Sequence, residues 1–574
     1  MRTDWTRIDA ADAGEAIVAA MAAGGVEVLF FTSGSELAFY QEAIAKANAH
    51  GRKAPRLILL PHETAALNAA LGYAAATGKP AATAAHVDVG TQHYGSAIHT
   101  AMRSGLPVLI TAGAPPVARA GTVRGARDAG HFWVQDIPDQ NGIVRQYMKW
   151  DHRLELHENP GLLVSRALQV ACTPPCGPVY LSIPREVALA TVCDASFPSV
   201  AQLAKALPPA PDPAALAEVC ERLMNARNPA VVVSGSGRDP ASVPLLVELC
   251  ERLALPVVDS ASRSYHCFPM DHPLYQGTIP LKDMDVVLVL DAEVPWVPGG
   301  NEPSPQTYVA VIDGDPVKLR IPTYDFEASV RITSGATSAI AAMLSMLTSR
   351  PHGASERMQR WTRASQARIE RARAEGRAAS TKTPIDPAWL SHCIGEALDD
   401  NCVLVDDTLT HNPLYRHLSR VGGSGRYFRN PGSAGGWGPG AALGVKLGAP
   451  ERDVVLATGD GFWMYGSPTA ALWTGKRYGA PFLSVVYQNR SYTTGTVATA
   501  ALYPDGYAVR GGLEGGYLDP PMDFAKEAEA AGAYGENVTD PADVPHALQR
   551  GLEEVRRGTP AVIAVRLPRL LRTD

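Results

Sequence analysis

The chain lacks the runs and clusters that would place it in a membrane, on nucleic acid or outside the cell. No stretch of its 574 residues approaches the roughly twenty consecutive apolar residues that a bilayer-crossing helix needs. It has no basic block: 52 Lys and Arg stand against 58 Asp and Glu, a formal net charge of −6, which argues against nucleic acid as the main partner. Cysteine is scarce and scattered at Cys172, Cys176, Cys193, Cys220, Cys250, Cys267, Cys393 and Cys402. The one close pair, Cys172 and Cys176, brackets Thr-Pro-Pro and has no second pair to complete a zinc site. Inert thiols in a reducing compartment are expected. The first twelve residues are polar and mixed in charge, with no basic segment leading into an apolar run, so no secretory signal is read and a cytoplasmic location is expected.

What is present is ample apolar sequence, 46% of residues, in blocks where short β-branched runs alternate with alanine-rich segments. That alternation predicts an α/β fold of parallel sheets covered by helices. Three consecutive domains are expected, at 1–190, 200–348 and 385–574, with a linker or solvated helix over 350–384. Strands are predicted at 28–31, 57–60, 81–85, 107–112 and 179–183 in the first block, at 230–233 in the second, and at 402–405, 454–457, 482–487 and 561–565 in the third. The proline-rich seam at 197–213 separates the first two blocks. The linker is rich in Arg, Ala and Glu of both signs, the pattern of a solvated helix rather than a nucleic-acid patch. The first and third blocks are alike in organisation.

Two segments carry chemistry. Gly459-Asp460-Gly461 follows an apolar strand, and Gln488-Asn489 follows the next. The glycines let phosphate oxygens approach backbone N–H groups, and Asp460 and Asn489 offer the hard oxygen ligands that Mg²⁺ prefers. The same residues also serve as a plain strand-to-helix turn. The second segment is Pro61-His62-Glu63-Thr64, which continues to Gly72-Tyr73-Ala74 and Thr77-Gly78-Lys79-Pro80. Glu63, at the end of a strand, reads either as a half-buried carboxyl with a raised pKa, able to exchange a proton with a heterocyclic nitrogen, or as an acid at a helix N-terminus.

Together, in this order, these segments resemble the signature of thiamine-diphosphate-dependent enzymes of the pyruvate decarboxylase and acetolactate synthase superfamily. Asn228-Pro229-Ala230, Gly235-Ser236-Gly237 and Asp313-Gly314-Asp315-Pro316 resemble that family's central domain. The resemblance implies a pyrimidine-binding first domain in which Glu63 pairs with the aminopyrimidine. It also implies a diphosphate-binding third domain in which Asp460, Asn489 and the carbonyl of Ser491 hold Mg²⁺. Thr410, His411, Ser433, Gly435, Gly459 and Gly461 fall at cofactor-binding positions. Active sites shared between subunits, in a homodimer or homotetramer, are implied as well. Gly235-Ser236-Gly237 alone is too weak to predict a bound dinucleotide, and FAD is not expected.

Several stretches are similar to benzoylformate decarboxylase in particular: Gly34-Ser35, Ala85-His86, Met148-Lys149-Trp150, the run from Gly177 to Pro184, and Ala471-Leu472-Trp473-Thr474. They put Ser35 where a serine orients the substrate and His86 where a histidine relays protons; read without the resemblance, each is an ordinary turn or loop residue. There are departures. Residues 291–299, where such decarboxylases place a second catalytic histidine, contain none. Gly435 aligns with a bulky residue that wedges the cofactor into a bent shape, a role left to Trp437 or another side chain. Asp88, His93, Gln135 and Trp437 are further pocket candidates. Arg124, Arg127 and His131 lie on a glycine-rich segment, and residues 490–517 are expected to form a lid.

The expected reaction is cleavage or formation of a carbon–carbon bond beside a carbonyl, by a 2-oxo acid decarboxylase or carboligase. Gln135, which aligns with a glutamine of the acetolactate synthases, and the histidine missing from residues 291–299 favour ligation or lyase chemistry, whereas Ser35 and His86 favour decarboxylation. The alternatives are a 2-hydroxyacyl-CoA lyase, for which Arg566, Arg569 and Arg572 would have to bind the nucleotide, and a non-catalytic cofactor-binding subunit. The expected partners are small 2-oxo acid or hydroxyacyl substrates, with no nucleic acid and no membrane.

Overall fold

The structure is a computed structural model and describes residues 5–571, apart from 193–194, 261–263, 348, 350, 411–413, 419–422 and 424. Three six-stranded sheets, each wholly parallel, follow one another along the chain. The first is ordered Arg56–Leu59, Val28–Phe31, Ala81–Ala85, Val108–Ala114, Val179–Pro184, Trp150–Arg153. The third is ordered Tyr427–Arg429, Cys402–Asp407, Asp453–Gly459, Leu483–Gln488, Ala561–Arg566, Tyr534–Val538. Numbered along the chain, both sheets read 2-1-3-4-6-5, so the likeness of the two blocks extends to their topology. The middle sheet, Tyr275–Gly277, Val257–Asp259, Pro229–Val233, Val286–Leu290, Tyr308–Asp313, Val330–Thr333, reads 3-2-1-4-5-6. Central strands such as Val108–Ala114 and Leu483–Gln488 are buried along their whole length, because helices cover both faces.

The first and third blocks meet along two helices, Glu63–Thr77 and Gly438–Gly448. The first ends as its sequence dictates: Gly78 takes the left-handed conformation, φ 68°, and Pro80 forbids a further turn. The second has a glycine at every fourth position, which puts Gly440, Gly444 and Gly448 on one face. A Cβ on Gly440 would stand 2.5 Å from Ala65 O, one on Gly444 1.9 Å from Ala69 O, and one on Gly448 2.9 Å from Thr77 Cγ2. The backbones therefore touch. Because contacts advance together along both helices, the two run parallel and their N-termini lie at one end.

The charged linker is the helix Ala354–Ala378. Most of it is solvated, as its composition predicts, but Arg357 is buried and donates to Ala226 O at 3.2 Å and Leu253 O at 2.8 Å, tying the linker to the middle block. Seven of the eight cysteines lie among the described residues, and none of these forms a disulfide. No described helix is long and apolar enough to cross a membrane.

Candidate active site

In an open parallel sheet, two neighbouring strands whose connections leave in opposite directions open a crevice at their carboxyl ends. Each sheet has one such junction. In the middle sheet it lies between Pro229–Val233 and Val286–Leu290, and it is closed: Gly235 N–H donates to Asp291 O at 2.9 Å. Arg238 leaves it to reach the first block, donating to Ser104 O at 3.1 Å. In the first and third sheets the junctions hold the candidate residues.

The third-sheet junction, between Cys402–Asp407 and Asp453–Gly459, opens into a cavity of about 260 Å³ lined by residues between Asp407 and Gly495. Asp460 is buried and accepts from the N–H groups of Gly461 at 2.8 Å and Arg490 at 2.6 Å. Burial outweighs these bonds and pushes its carboxyl up to about 6. Asn489 Oδ1 accepts from Ser491 N–H at 3.0 Å, and its amide donates to Thr493 Oγ1 at 3.1 Å. Arg490, between Asn489 and Ser491, has φ 56°, and Ser433, which lines the cavity, has φ 55°; such left-handed non-glycine residues are uncommon and gather at functional sites. A buried carboxylate with an amide oxygen beside it is a donor set for a hard divalent cation, and Gly459, whose missing Cβ faces open space, leaves room for an anion next to it. Asp407 forms the cavity floor. It accepts from Gly438 N–H and from Asn430 Nδ2, each at 2.9 Å, while burial pushes its carboxyl up to about 7.

The first-sheet junction lies between Val28–Phe31 and Ala81–Ala85. Ser35 and Glu36 follow the former strand and His86 follows the latter. Glu36 is fully buried. Its Oε2 lies 2.6 Å from His86 Nδ1, and its Oε1 accepts the Ser35 hydroxyl at 2.8 Å. Burial alone would raise the Glu36 carboxyl, but His86 and Ser35 together hold it below the usual range. The bond to Glu36 in turn raises the His86 imidazole, against its own burial. His86 Nε2 faces Gln135 Oε1 at 3.2 Å, and His131 Nε2 lies 3.1 Å from Ser35 Oγ. Val87 has φ 26°, a strained angle for a β-branched residue, directly after His86.

From His86 the helix Val87–His93 crosses Glu63. Gly90 passes so close that a Cβ there would stand 3.0 Å from Glu63 Oε1, and at the far end His93 Nδ1 meets Glu63 Oε2 at 2.7 Å. Glu63 opens its own helix, and it is buried rather than half-buried. Beside it His62 packs on His93, ring centroids 4.3 Å apart; its own burial and the nearby His93 lower its imidazole.

Two stretches of the chain match the models of a known family. The model described as the N-terminal TPP binding domain of thiamine pyrophosphate enzymes matches residues 11–143, and the C-terminal TPP binding domain matches 413–565. The chain belongs to the thiamine pyrophosphate enzymes. It is 28% identical to the benzoylformate decarboxylase of Pseudomonas aeruginosa over 76% of this chain and 79% of that one. It is also 25% identical to a probable acetolactate synthase of Mycobacterium bovis over 98% of this chain and 97% of that one. The solved thiamine diphosphate-dependent 4-hydroxybenzoylformate decarboxylase of Rhodococcus jostii RHA1 shares the fold, with a TM-score of 0.78 at 22% identity over 98% of this chain and 100% of that one.

For this thiamine pyrophosphate enzyme, the expected residues fall into two groups. Thr410, Ser433, Gly459, Asp460, Gly461, Asn489 and Ser491 line one cavity. Ser35, His86 and Gln135 form one hydrogen-bonded set, and Glu63 and His93 another. None of this second group lines the cavity. His411 and Arg572 lie outside the described residues. Asp88 is buried in the first turn of its helix, with Gln92 as its side-chain partner at 3.4 Å. Trp437 is buried in the main core and not on the cavity wall. The ring beside Gly435 belongs to Phe462, which does line the cavity; a Cβ on Gly435 would come within 2.8 Å of it. Three residues here had no reading from sequence: Glu36, Asp407 and Phe462. Each adjoins a recognised strand end or motif, and that adjacency was their one signal.

Proposed function

We propose that the protein uses thiamine diphosphate and Mg²⁺ to cleave or form a carbon–carbon bond beside a carbonyl, and that its main reaction is the decarboxylation of a 2-oxo acid. The observation that carries this reading is the Ser35–Glu36–His86 set, a protonatable imidazole fixed by a buried carboxylate at a sheet junction. A decarboxylase must deliver a proton to carbon, and a histidine whose imidazole is raised by its bond to a buried carboxylate is suited to it.

When bound, the cofactor supplies the nucleophilic carbon and the electron sink. The chain's residues do the rest. Asp460 and Asn489 side-chain oxygens and the Ser491 carbonyl hold the cation, while Thr410, Ser433 and the backbone at Gly459 and Gly461 hold phosphate oxygens. Phe462 supplies bulk on that wall where Gly435 has none. Glu63 keeps a proton at the pyrimidine nitrogen, Ser35 orients the substrate, and His86 Nε2 carries protons. Because the cavity is lined from the third block alone while Glu63 stands elsewhere, two copies are proposed to complete each site.

Carboligation is the second reading, favoured by the contact of Gln135 with His86. The CoA-lyase reading has less support, since Arg569, one of its three arginines, is buried, pairs with Asp519 and stacks on Tyr517. The test is incubation with thiamine diphosphate, Mg²⁺ and a panel of aliphatic and aromatic 2-oxo acids, with and without aldehyde acceptors. CO₂ and free aldehyde are expected; a ligated hydroxyketone as the main product would favour the second reading, and no turnover of any 2-oxo acid would refute both.

A further inference from the structure

We propose that His131 is the second proton carrier of this site, coupled to His86 through Ser35 and Glu36; this rests on the decarboxylase reading above. Decarboxylation, R–CO–COO⁻ + H⁺ → R–CHO + CO₂, places one solvent proton on carbon. In addition, the carbonyl oxygen takes up a proton when its carbon is attacked and returns it when the carbonyl re-forms. Two atoms thus exchange protons in one turnover, and residues 291–299 offer no histidine for the second. In that segment Glu293 lies 3.8 Å from Arg103, and Trp296 is buried.

His131 opens the short helix His131–Val134. Its Nε2 lies 3.1 Å from Ser35 Oγ and 3.9 Å from Glu36 Oε1. With the Ser35 hydroxyl donating to Glu36, its oxygen is left to accept from His131 Nε2–H. A continuous hydrogen-bonded chain results and converges on one carboxylate: His131 Nε2–H donates to Ser35 Oγ, Ser35 Oγ–H to Glu36 Oε1, and His86 Nδ1–H to Glu36 Oε2. Exposure separates the two histidines. The His131 side chain is 42% exposed and can exchange with solvent, whereas that of His86 is 21% exposed and lies inward.

One carboxylate serves two imidazoles, His86 directly and His131 through Ser35, so a change at either is felt by the other through Glu36. The other polar and charged groups facing them are few. Gln135 and, through space, Glu63 act on His86. On the far side of His131 stands Asp128, which Arg185 binds at 2.8 Å.

The test begins with the protein free of cofactor, in which histidine ¹⁵N and ¹H shifts are followed with pH. In H131Q the apparent pKa of His86 is expected to rise, because its competitor for Glu36 has gone; in E36Q that of His86 should fall. In the loaded enzyme H131Q is expected to lower kcat by about 10²-fold or more, the scale of a lost general acid, with KM little changed and one limb of the pH–rate profile missing. An unchanged His86 titration in H131Q, or an unchanged profile, would overturn the proposal. A wild-type protein inert toward every 2-oxo acid would instead refute the decarboxylase reading, and the titration would still decide whether the two histidines share Glu36.

Discussion

Replacing Gly444 by alanine adds one methyl group at the tightest point between the first and third blocks. Its Cβ would stand 1.9 Å from Ala69 O and 2.7 Å from Tyr73 N, against a floor of about 3.0 Å for real Cβ contacts. Both obstacles are helix backbone and cannot turn aside, so the helices must part by roughly 1 Å. A gap of that size forfeits about a quarter to a half of the dispersion between facing atoms. Overpacking typically costs about 1–3 kcal/mol, and a backbone clash this deep belongs at or above the top of that range. Alanine's better helix propensity returns about 1 kcal/mol, for a net loss of about 2–3 kcal/mol. Because Glu63 opens one of the two helices and Asp407 caps the other, both half-sites should shift, and thiamine diphosphate affinity should fall with stability. Scanning calorimetry and urea titration should show the first unfolding transition at lower temperature and lower denaturant. Gly495 provides the control: it lies within the helix Thr493–Leu502 with nothing within 4 Å of an added Cβ, so G495A should be neutral or stabilising by up to about 1 kcal/mol. A G444A protein as stable as wild type would refute the close-packed helix pair.

E63Q should lower turnover by about 10²-fold or more while leaving diphosphate and Mg²⁺ binding in place, read by steady-state assay beside calorimetric titration with inorganic diphosphate. His417 is buried with neither ring nitrogen hydrogen-bonded, and burial and its cationic neighbours lower it to about 4. The unfolded chain binds the proton first, so the stability that His417 contributes is complete above about pH 6.5 and is lost as pH falls toward 4, by roughly 3 kcal/mol at most. H417L should flatten this acid limb in urea melts at pH 4.5 and 7. The segment after Asn489 is pinned at both ends, where Tyr492 N–H donates to Gly516 O and Leu518 N–H to Arg490 O, but exposes Leu502, Tyr503 and Tyr507. Limited chymotrypsin digestion should cut there, and cofactor with substrate should slow the cut; an unchanged rate would count against a lid.

Much of the fold was legible because central strands of covered parallel sheets are continuous apolar runs. The runs at 28–31 and 81–85 appear in the structure with those bounds, and the others differ by a residue or two at their ends. The edge strands Trp150–Arg153, Tyr427–Arg429 and Tyr534–Val538 were not legible. Trp150–Arg153 is half-buried throughout and reads Trp-Asp-His-Arg, and Tyr534–Val538 contains glycine, glutamate and asparagine, so neither shows a strand period. The partner of the helix Gly438–Gly448 was hidden for the opposite reason. Both helices of that pair are almost wholly buried and apolar all round, and no stripe indicates which face meets what.

The site divides along the same line. Glu63 and Asp460 stood out as candidates because each sits in a motif whose parts are neighbours in sequence. Glu36 was not, although it follows Ser35, because a glutamate in a polar turn reads as solvated; what buries it is His86, fifty residues away. That encounter depends on strand order, which places the ends of Val28–Phe31 and Ala81–Ala85 side by side. The same order in the third sheet places Asp407 beside Gly459-Asp460. Both junctions then open at one end of a parallel helix pair, where two helix N-termini add their positive ends. Acidic side chains occupy both termini, Glu63 on one and Asp407 on the other, and the N-termini of Asp460–Tyr465 and Thr493–Leu502 border the same cavity. The third-block cavity, bordered this way, suits an anion held through a cation, and its electrostatics follow from topology more than from any single motif.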